Sequence, residues 1–146
     1  MTALSDYFEN KLIDQIFRAQ AFSFPGTLYF ALFTATPSDV GGGTEVAGGN
    51  YARVGVACSL ANFAGTQAAG STAASSGTSG TTSNNGVVTF PTPNADWGRV
   101  THWGVFDQLT TGNLLLWGVL TNAKNVNNGD PAPAFAAAAF SFQIDN

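Results

Sequence analysis

The sequence VTHWGVFD at Val100–Asp107, followed by the turn TTGN at Thr110–Asn113 and by LLLWGVLT at Leu114–Thr121, decides the fold class. Both apolar runs are rich in β-branched and aromatic residues, which favour strands over helices. The polar segment between them contains a glycine, as hairpin connections commonly do. We therefore predict an antiparallel hairpin here, in a chain whose core is built from strands.

Other segments extend the same pattern along the chain. TLYFALFTA at Thr27–Ala35 is apolar on both alternating faces, as in a central strand covered on both sides. Tyr51–Leu60 alternates between apolar and other residues, as a half-buried strand does. Further strands are predicted at Val87–Phe90 and from about Phe140 to the end. Together these segments predict an antiparallel β-sandwich, or a barrel-like sandwich, forming a single domain over residues 1–146.

One helix is predicted before the strands, at about residues 4–19. Thr2 or Ser5 can cap it, and acidic residues in its first turn suit the helix dipole. Four apolar residues recur every four positions and form one stripe: Leu4, Phe8, Leu12 and Ile16. Three more fall outside that stripe, namely Tyr7, Ile13 and Phe17. We predict that these three contact a neighbouring subunit, although a helix wrapped between two parts of one domain explains them about as well.

A long segment from about residue 64 to 86 consists almost entirely of Gly, Ala, Ser, Thr and Asn. It contains no large apolar residue that could anchor a core, so we predict a long surface loop or arm. Loops of this length are uncommon inside compact domains. Two interpretations stay open: an arm that orders on a neighbouring molecule, and a loose loop with no partner.

The composition bears on the partners of the chain. Charged residues make up 10% of the 146 residues, against roughly 25% in a typical soluble domain. A weakly charged surface favours association, although a soluble monomer with an uncharged polar surface is the alternative. The five Lys and Arg residues form no cluster, which argues against nucleic-acid binding. No apolar run has the length of a membrane span and no secretory signal is recognisable, so we expect cytoplasmic synthesis and no membrane partner.

Few residues are candidates for catalysis. His102 is the single histidine, and Cys58, the single cysteine, is most simply a small buried side chain of its predicted strand. One Cys and one His argue against a zinc site, and the acidic residues are scattered singly. No nucleophile or phosphate-binding motif is present. We predict no catalytic residue, no metal, no cofactor and no enzymatic activity.

The tryptophans are the other candidates for a site. Trp97, Trp103 and Trp117 could stack on sugar rings as an aromatic patch, together with Tyr51 and Phe106. Trp103 and Trp117 lie in the predicted hairpin, where cross-strand packing in the core is the simpler interpretation.

Five blocks of sequence carry a resemblance to a known family. In chain order they are LSDYFENKLIDQIFR, LYFALFTATPSD, GGTEVAGGNYARV, VTFPTPNADWGRVTHWGVFD and TTGNLLLWGVLTNAKNVNNGD. Together they resemble short structural proteins of tailed bacteriophages, whose members are commonly named tail-fibre or minor virion proteins. The blocks cover most of the chain but leave out the segment from Ala64 to Asn85 and the Ala-rich tail. The resemblance implies a virion component and brings no catalytic residues.

On these grounds we expect a non-enzymatic surface protein of the tail or fibre region, made in the bacterial cytoplasm and assembled as a homo-oligomer, most simply a homotrimer. Its partners would be other virion proteins, either tail proteins or the major capsid protein. A capsid decoration (cement) protein that stabilises the head is the alternative, because a 146-residue module lacks the long repetitive shaft of a fibre. A carbohydrate-binding receptor module would need exposed Trp97 or Trp103. A glycan hydrolase would need two converging carboxylates.

Overall fold

A computed structural model describes residues 2–144 of the chain. In chain order its elements are β1 (Thr2–Leu4), α1 (Asp6–Phe17), β2 (Thr27–Ala35), β3 (Thr44–Glu45), β4 (Val54–Ala57), β5 (Thr81–Ser83), β6 (Val88–Thr89), β7 (Gly98–Phe106), β8 (Leu114–Val126), β9 (Ala134–Phe135) and β10 (Ser141–Gln143). The chain is mainly β, its sheets are antiparallel, and one helix lies near the N-terminus, as predicted.

One six-stranded sheet forms the body of the molecule. Its strands lie in the order β1, β8, β7, β2, and both β3 and β4 pair with β2. The predicted hairpin is confirmed as β7 and β8, with Trp103 opposite Gly118. A Cβ atom on Gly118 would lie 2.5 Å from Cζ2 of Trp103. Because that separation is far below van der Waals contact, only a glycine at this position lets the indole ring approach β8 so closely.

The main core lies on the face of the sheet that carries Phe30 and Trp103. The ring of Phe140, from the C-terminal segment, sits edge-on between them, with its centroid 4.7 Å from that of Phe30 and 4.4 Å from that of Trp103. Other buried partners come from segments outside the large sheet: Val46, Val88, Phe90 and Trp97. Each such side chain stabilises the fold by about 1.5–3 kcal/mol when fully buried.

Two short ladders and the loops between them make the second layer over this core. β5 pairs with β10, and β6 pairs with β9. Buried Asn84 ties the layer together, since its Nδ2 donates to the carbonyl oxygens of Gly86 and Ala136 at 2.7 and 2.8 Å. Its Oδ1 accepts the backbone N–H of Phe140 at 2.9 Å. The second layer is thus held by polar backbone contacts as well as by apolar packing.

The opposite face of the sheet carries a smaller apolar cluster. Ala31, Phe33, Phe106 and Leu114 are buried there, and the rings of Phe33 and Phe106 are nearly parallel, with centroids 6.2 Å apart. The loop after β2 and the start of α1 cover this cluster only in part. A cavity therefore remains on this face, and it is described below.

The helix is shorter than predicted. Ser5 caps it as expected, since its Oγ accepts the backbone N–H of Phe8 at 3.2 Å and also donates to the carbonyl oxygen of Leu114. Leu4, predicted as part of the helix, instead belongs to β1 and pairs with Leu116. The spacing of four residues between Leu4 and Phe8 fits a helix. In the structure, however, Leu4 pairs with the edge of β8, which provides hydrogen-bond partners for its backbone. Among residues 2–144 no helix is long and apolar enough to span a membrane.

Two other predictions need correction. The strand predicted over Tyr51–Leu60 is confined to β4, and Cys58 lies beyond its end, exposed, with its Sγ 3.3 Å from the carbonyl oxygen of Pro25. The segment predicted as a surface loop from about residue 64 to 86 contains β5 near its end. The remainder closes on itself, because Thr66 and Gly77 exchange hydrogen bonds and Gln67 donates to the carbonyl oxygen of Ala74.

Candidate functional site

An exposed apolar surface on α1 is the first candidate site. Ile13, Ile16 and Phe17 are 50%, 66% and 79% exposed, and no described residue of the helix is fully buried. Residues three and four positions apart lie on one side of a helix, so these side chains form a single stripe, here called the α1 stripe. Single exposed apolar residues are ordinary on protein surfaces, but a contiguous stripe of large ones indicates an interaction surface.

The predicted interface residues divide between two sides of α1. Ile13 and Phe17 lie in the α1 stripe, and their contact with a neighbouring subunit stays a prediction. Tyr7 is half-buried and packs edge-on against Phe22, with ring centroids 6.5 Å apart. The segment after the helix folds back, since the backbone N–H of Phe22 donates to Oε1 of Gln15 at 2.7 Å. The spacing of four residues placed Ile16 in one stripe with Phe8 and Leu12, but Ile16 is 66% exposed, whereas Phe8 and Leu12 are half-buried. Each residue of a helix advances by 100° around the axis, so Ile16, eight residues after Phe8, points about 80° away from it.

A cavity of about 650 Å³ beside the start of α1 is the second candidate site. Its floor is the small apolar cluster, represented by Phe33 and Phe106. Its rim carries the exposed carboxylates of Asp6 and Asp39. The backbone N–H of Asp6 donates to the carbonyl oxygen of Asp39 at 2.9 Å, which fixes the loop after β2 against the N-terminus of the helix.

An ion pair between Glu45 and Arg53 forms one wall of this cavity. Nε and Nη2 of Arg53 donate to the two carboxylate oxygens of Glu45 at 2.8 and 2.7 Å. Nη1 donates to the carbonyl oxygens of Gln108 and Thr111 at 3.0 and 2.7 Å. The charge of Arg53 is therefore already paired within the molecule, and the residue serves as a clamp between the strands and the β7–β8 turn.

The hydroxyl of Tyr51 extends the same network into the core. It donates to Oε1 of Glu45 at 2.9 Å and accepts the backbone N–H of Leu32 at 2.9 Å. Burial, and then the adjacent negative charge of Glu45, raise the pKa of Tyr51 far above its ordinary value. The phenol therefore stays protonated and acts as a fixed hydrogen-bond donor.

The backbone around the cavity contains left-handed residues that shape its walls. Gly41, Gly42 and Gly43 have φ of 90°, 81° and 76° in succession, and a Cβ on Gly43 would lie 2.9 Å from the backbone of Pro37. Thr111 in the β7–β8 turn has φ of 56°, which is strained for a β-branched residue. Its carbonyl oxygen is held by Arg53. Both walls are thus built on left-handed backbone, and hydrogen bonds from Ser38 to Gly41 and from Arg53 to Thr111 hold them in place.

The three tryptophans do not form the predicted surface patch. Trp97 and Trp103 are only 5% and 6% exposed, and both belong to the main core, which agrees with the simpler interpretation of Trp103. Trp97 donates from Nε1 to the carbonyl oxygen of Gly49 at 2.8 Å. Trp117 lies half-buried on the opposite face, where its Nε1 donates to Oδ1 of Asp39 at 3.3 Å. The exposed Trp97 or Trp103 that a sugar platform required is therefore missing.

The remaining candidates for chemistry are dispersed. His102 is half-buried, its Nδ1 lies 2.8 Å from Oγ1 of Thr101, and burial lowers its pKa. Burial also raises the pKa of the Cys58 thiol, which disfavours a reactive thiolate. Within residues 2–144, His, Cys, Asp and Glu side chains form no group of three or more that could hold a metal ion.

Comparison with known proteins gives the family. No curated protein matches the chain. A family model described as podophage GP4 fiber I protein gp80 matches residues 3–143. The match runs from β1 to the end of β10 and therefore includes the α1 stripe, the cavity and both layers of the fold. It also agrees with the resemblance carried by the five sequence blocks, and so this chain belongs to the podophage GP4 fiber I protein family.

Proposed function

We propose that this protein is a non-enzymatic structural component of the tail-fibre region of a podophage virion, and that it works there as a homo-oligomer joined through α1. Membership of a phage fibre family makes it a virion component. The oligomeric part of the proposal is supported above all by the α1 stripe. The low charge of the chain agrees with it, because few repulsive charges oppose association.

The energetic argument starts from the exposure of the stripe. Ile13, Ile16 and Phe17 are each at least half exposed. Fully burying a side chain of this size stabilises an association by about 1.5–3 kcal/mol before the entropic cost of binding is subtracted. Three such residues in each copy therefore favour burial against an apolar partner. A second copy of the chain offers the same apolar stripe as a partner. Because most soluble oligomers are symmetric homo-oligomers, we take the partner to be another copy.

The spacing within the stripe supports a trimer. Ile13 and Ile16 are three residues apart and can occupy consecutive a and d positions of a parallel helical bundle. Isoleucine at both positions favours three or four helices over two. Three copies of α1, packed around an axis through these isoleucines, would bury the stripe and leave the sheet and the second layer facing outwards.

The non-enzymatic part of the proposal is supported by the dispersal of the reactive groups. His102 bonds to Thr101 rather than to a carboxylate, and Glu45 and Arg53 neutralise each other in a structural clamp. The family name favours a structural role in the tail-fibre region over capsid decoration. The partners would then be neighbouring tail proteins of the same particle.

Gold-labelled antibodies raised against this protein and applied to intact particles test the proposed location. Label confined to the tail and its fibres would support a fibre-region component. Label spread over the head would contradict it in favour of a capsid decoration protein. Particles that show no label, but whose denatured proteins react with the same antibody, would mean that the protein is internal and that the proposed surface role is wrong.

A further inference from the structure

The tripeptide Asn-Asn-Gly occurs twice in the chain, at residues 84–86 and at residues 127–129. An asparagine that precedes a glycine is prone to lose its side-chain amide spontaneously, because glycine has no Cβ that would hinder its backbone nitrogen from approaching the carboxamide. The asparagines in this position are Asn85 and Asn128. Since the tripeptide is the same at both places, only the folded structure can make the two asparagines differ in reactivity.

Asn128 lies in an exposed turn after β8. The backbone N–H of Asp130 donates to the carbonyl oxygen of Asn127 at 3.1 Å, and Gly129 has φ of 80°, which favours glycine at this position of a turn. Asn128 and Gly129 are both exposed, and within residues 2–144 the Asn128 carboxamide forms no hydrogen bond. The N–H of Gly129 donates to the carbonyl oxygen of Pro93 at 3.2 Å, at the long end of the usual range. A small local opening at the surface therefore releases this nitrogen for reaction.

Asn85 is held in the second layer of the fold. Its backbone N–H donates to the carbonyl oxygen of Asn62 at 2.8 Å. Its Nδ2 donates to the carbonyl oxygens of Leu60 and Ser71 at 3.4 and 3.3 Å, and its Oδ1 is buried. The carboxamide can reach the nitrogen of Gly86 only after these contacts open together, and the rate of reaction then falls with the fraction of molecules that are open.

We propose that Asn128 is a site of spontaneous deamidation in the folded protein and that the fold protects Asn85. In the first step the backbone nitrogen of Gly129 attacks Cγ of Asn128. A new C–N bond closes a succinimide ring, the C–N bond of the carboxamide breaks, and ammonia leaves with the proton of the Gly129 nitrogen. Water then opens the ring at one of its two carbonyl groups, which gives aspartate or isoaspartate at position 128.

The product carries a negative charge beside two existing carboxylates. The backbone N–H of Asn128 donates to Oδ1 of Asp96 at 2.8 Å, and Oδ2 of Asp130 accepts the backbone N–H of Asn127 at 2.8 Å. A carboxylate at position 128 is ionised at neutral pH, as free aspartate side chains are. Each reaction therefore makes this end of the molecule more acidic, and the proportion of acidic molecules records the age of the protein.

The experiment follows the purified protein during storage in mildly alkaline buffer, one sample folded and one in denaturant. Peptide mapping by mass spectrometry measures the conversion of each asparagine, and labelling by an isoaspartyl methyltransferase detects isoaspartate. In the folded protein we expect Asn85 to react at least about tenfold more slowly than Asn128, because local opening must first release it. In denaturant the two rates should be similar. The proposal is overturned if Asn85 reacts as fast as Asn128 in the folded protein, or if Asn128 stays intact there.

A matched pair of variants assigns the new charge to its residue. Asn128→Gln keeps a carboxamide but lengthens the side chain, which makes ring closure onto the next backbone nitrogen much slower. On isoelectric focusing, the acidic species that form in the stored wild type should be missing from Asn128→Gln and should form unchanged in Asn85→Gln. Acidic species that form in Asn128→Gln at the wild-type rate would refute the assignment. If Asn85→Gln does not fold, the peptide map of the wild type makes the same comparison between the two residues.

Discussion

The guanidinium carbon of Arg53 lies 3.4 Å from the centroid of the Phe106 ring. The flat cation thus covers one face of an aromatic ring in the small apolar cluster while its nitrogens hold Glu45 and the β7–β8 turn. Guanidinium groups stack on aromatic rings and bind carboxylates through two nitrogens, whereas the ammonium group of lysine does neither as well. One residue between β3 and β4 therefore secures the hairpin that forms the centre of the sheet.

Replacing Arg53 by alanine should lower the free energy of unfolding by about 2–3 kcal/mol, because it leaves the partly buried Glu45 carboxylate without its partner. Chemical denaturation followed by tryptophan fluorescence measures the loss. Arg99→Ala is the matched control, since Arg99 is exposed, and it should change stability by less than about 0.5 kcal/mol. Equal effects of the two substitutions would mean that the clamp contributes nothing.

The proposed assembly predicts that Ile13→Glu combined with Ile16→Glu yields a folded monomer. Six buried carboxylates around a trimer axis would be strongly unfavourable, while the exposed positions of the monomer tolerate them. Size-exclusion chromatography with light scattering should give three times 15.1 kDa for the wild type and 15.1 kDa for the variant. Circular dichroism checks that the variant remains folded.

Leu60→Glu is the control for this prediction, because Leu60 is 55% exposed but lies outside the helix. It should assemble as the wild type does. A wild type that is monomeric at micromolar concentration, or a double variant that still assembles, would contradict a role of the α1 stripe in assembly. Deleting the whole helix is a poorer test, because removing residues 1–17 would also remove β1, which pairs with the edge of β8.

Asn84→Ala should destabilise the protein by about 2–3 kcal/mol. The substitution leaves the carbonyl oxygens of Gly86 and Ala136 and the N–H of Phe140 without their side-chain partner in a buried position. Thermal unfolding measures the change, and the exposed Asn125→Ala serves as the control. An Asn84→Ala protein as stable as that control would show that water replaces the lost hydrogen bonds without penalty.

Gly118→Ala should cost about 1–3 kcal/mol, since the added methyl group forces the ring of Trp103 out of its place against β8. The displacement should also shift the tryptophan emission spectrum. Gly26→Ala adds a methyl group where no atom lies within 4 Å and should be nearly neutral. Unchanged stability and emission in Gly118→Ala would mean that the hairpin opens to accept the side chain at no cost.

The central strands could be predicted from sequence because their apolar runs are long and are bounded by turn residues. β2 was predicted to the residue and β7 to within two positions. Leu4 was misassigned because its spacing from Phe8 fits a helix, and only the edge of β8, more than a hundred residues away, makes it a strand. Cys58 continues the alternation of β4, yet the pairing with β2 ends at Ala57. The alternation of apolar residues within a strand therefore does not predict where its pairing with a neighbouring strand ends.

The two candidate sites also differ in how far the sequence predicts them, because one depends on local pattern and the other on contacts between distant segments. Exposure of Ile13 and Phe17 follows from helical geometry, and so a sequence pattern could find them. The cavity depends on contacts between distant segments: Arg53 reaches Thr111, 58 positions away, and Asp39 reaches Trp117, 78 positions away. The signals that could have indicated it were the three consecutive glycines beside Asp39 and the single arginine within the Tyr51–Leu60 segment.

The segment between Phe63 and Asn84 forms a part of the surface whose sequence and length can change without disturbing the core. Its two ends meet in a β-bridge, and its interior is held mostly by hydrogen bonds among small polar residues and backbone groups. Little of the main core depends on its middle portion, and lengthening a closed loop adds only slowly to the entropic cost of folding. Residues there can be exchanged, added or lost while the sheet beneath stays the same. Two proteins with the same sheet and core could thereby differ in the surface that this segment forms. Such variation changes what the surface contacts at little cost in fold stability.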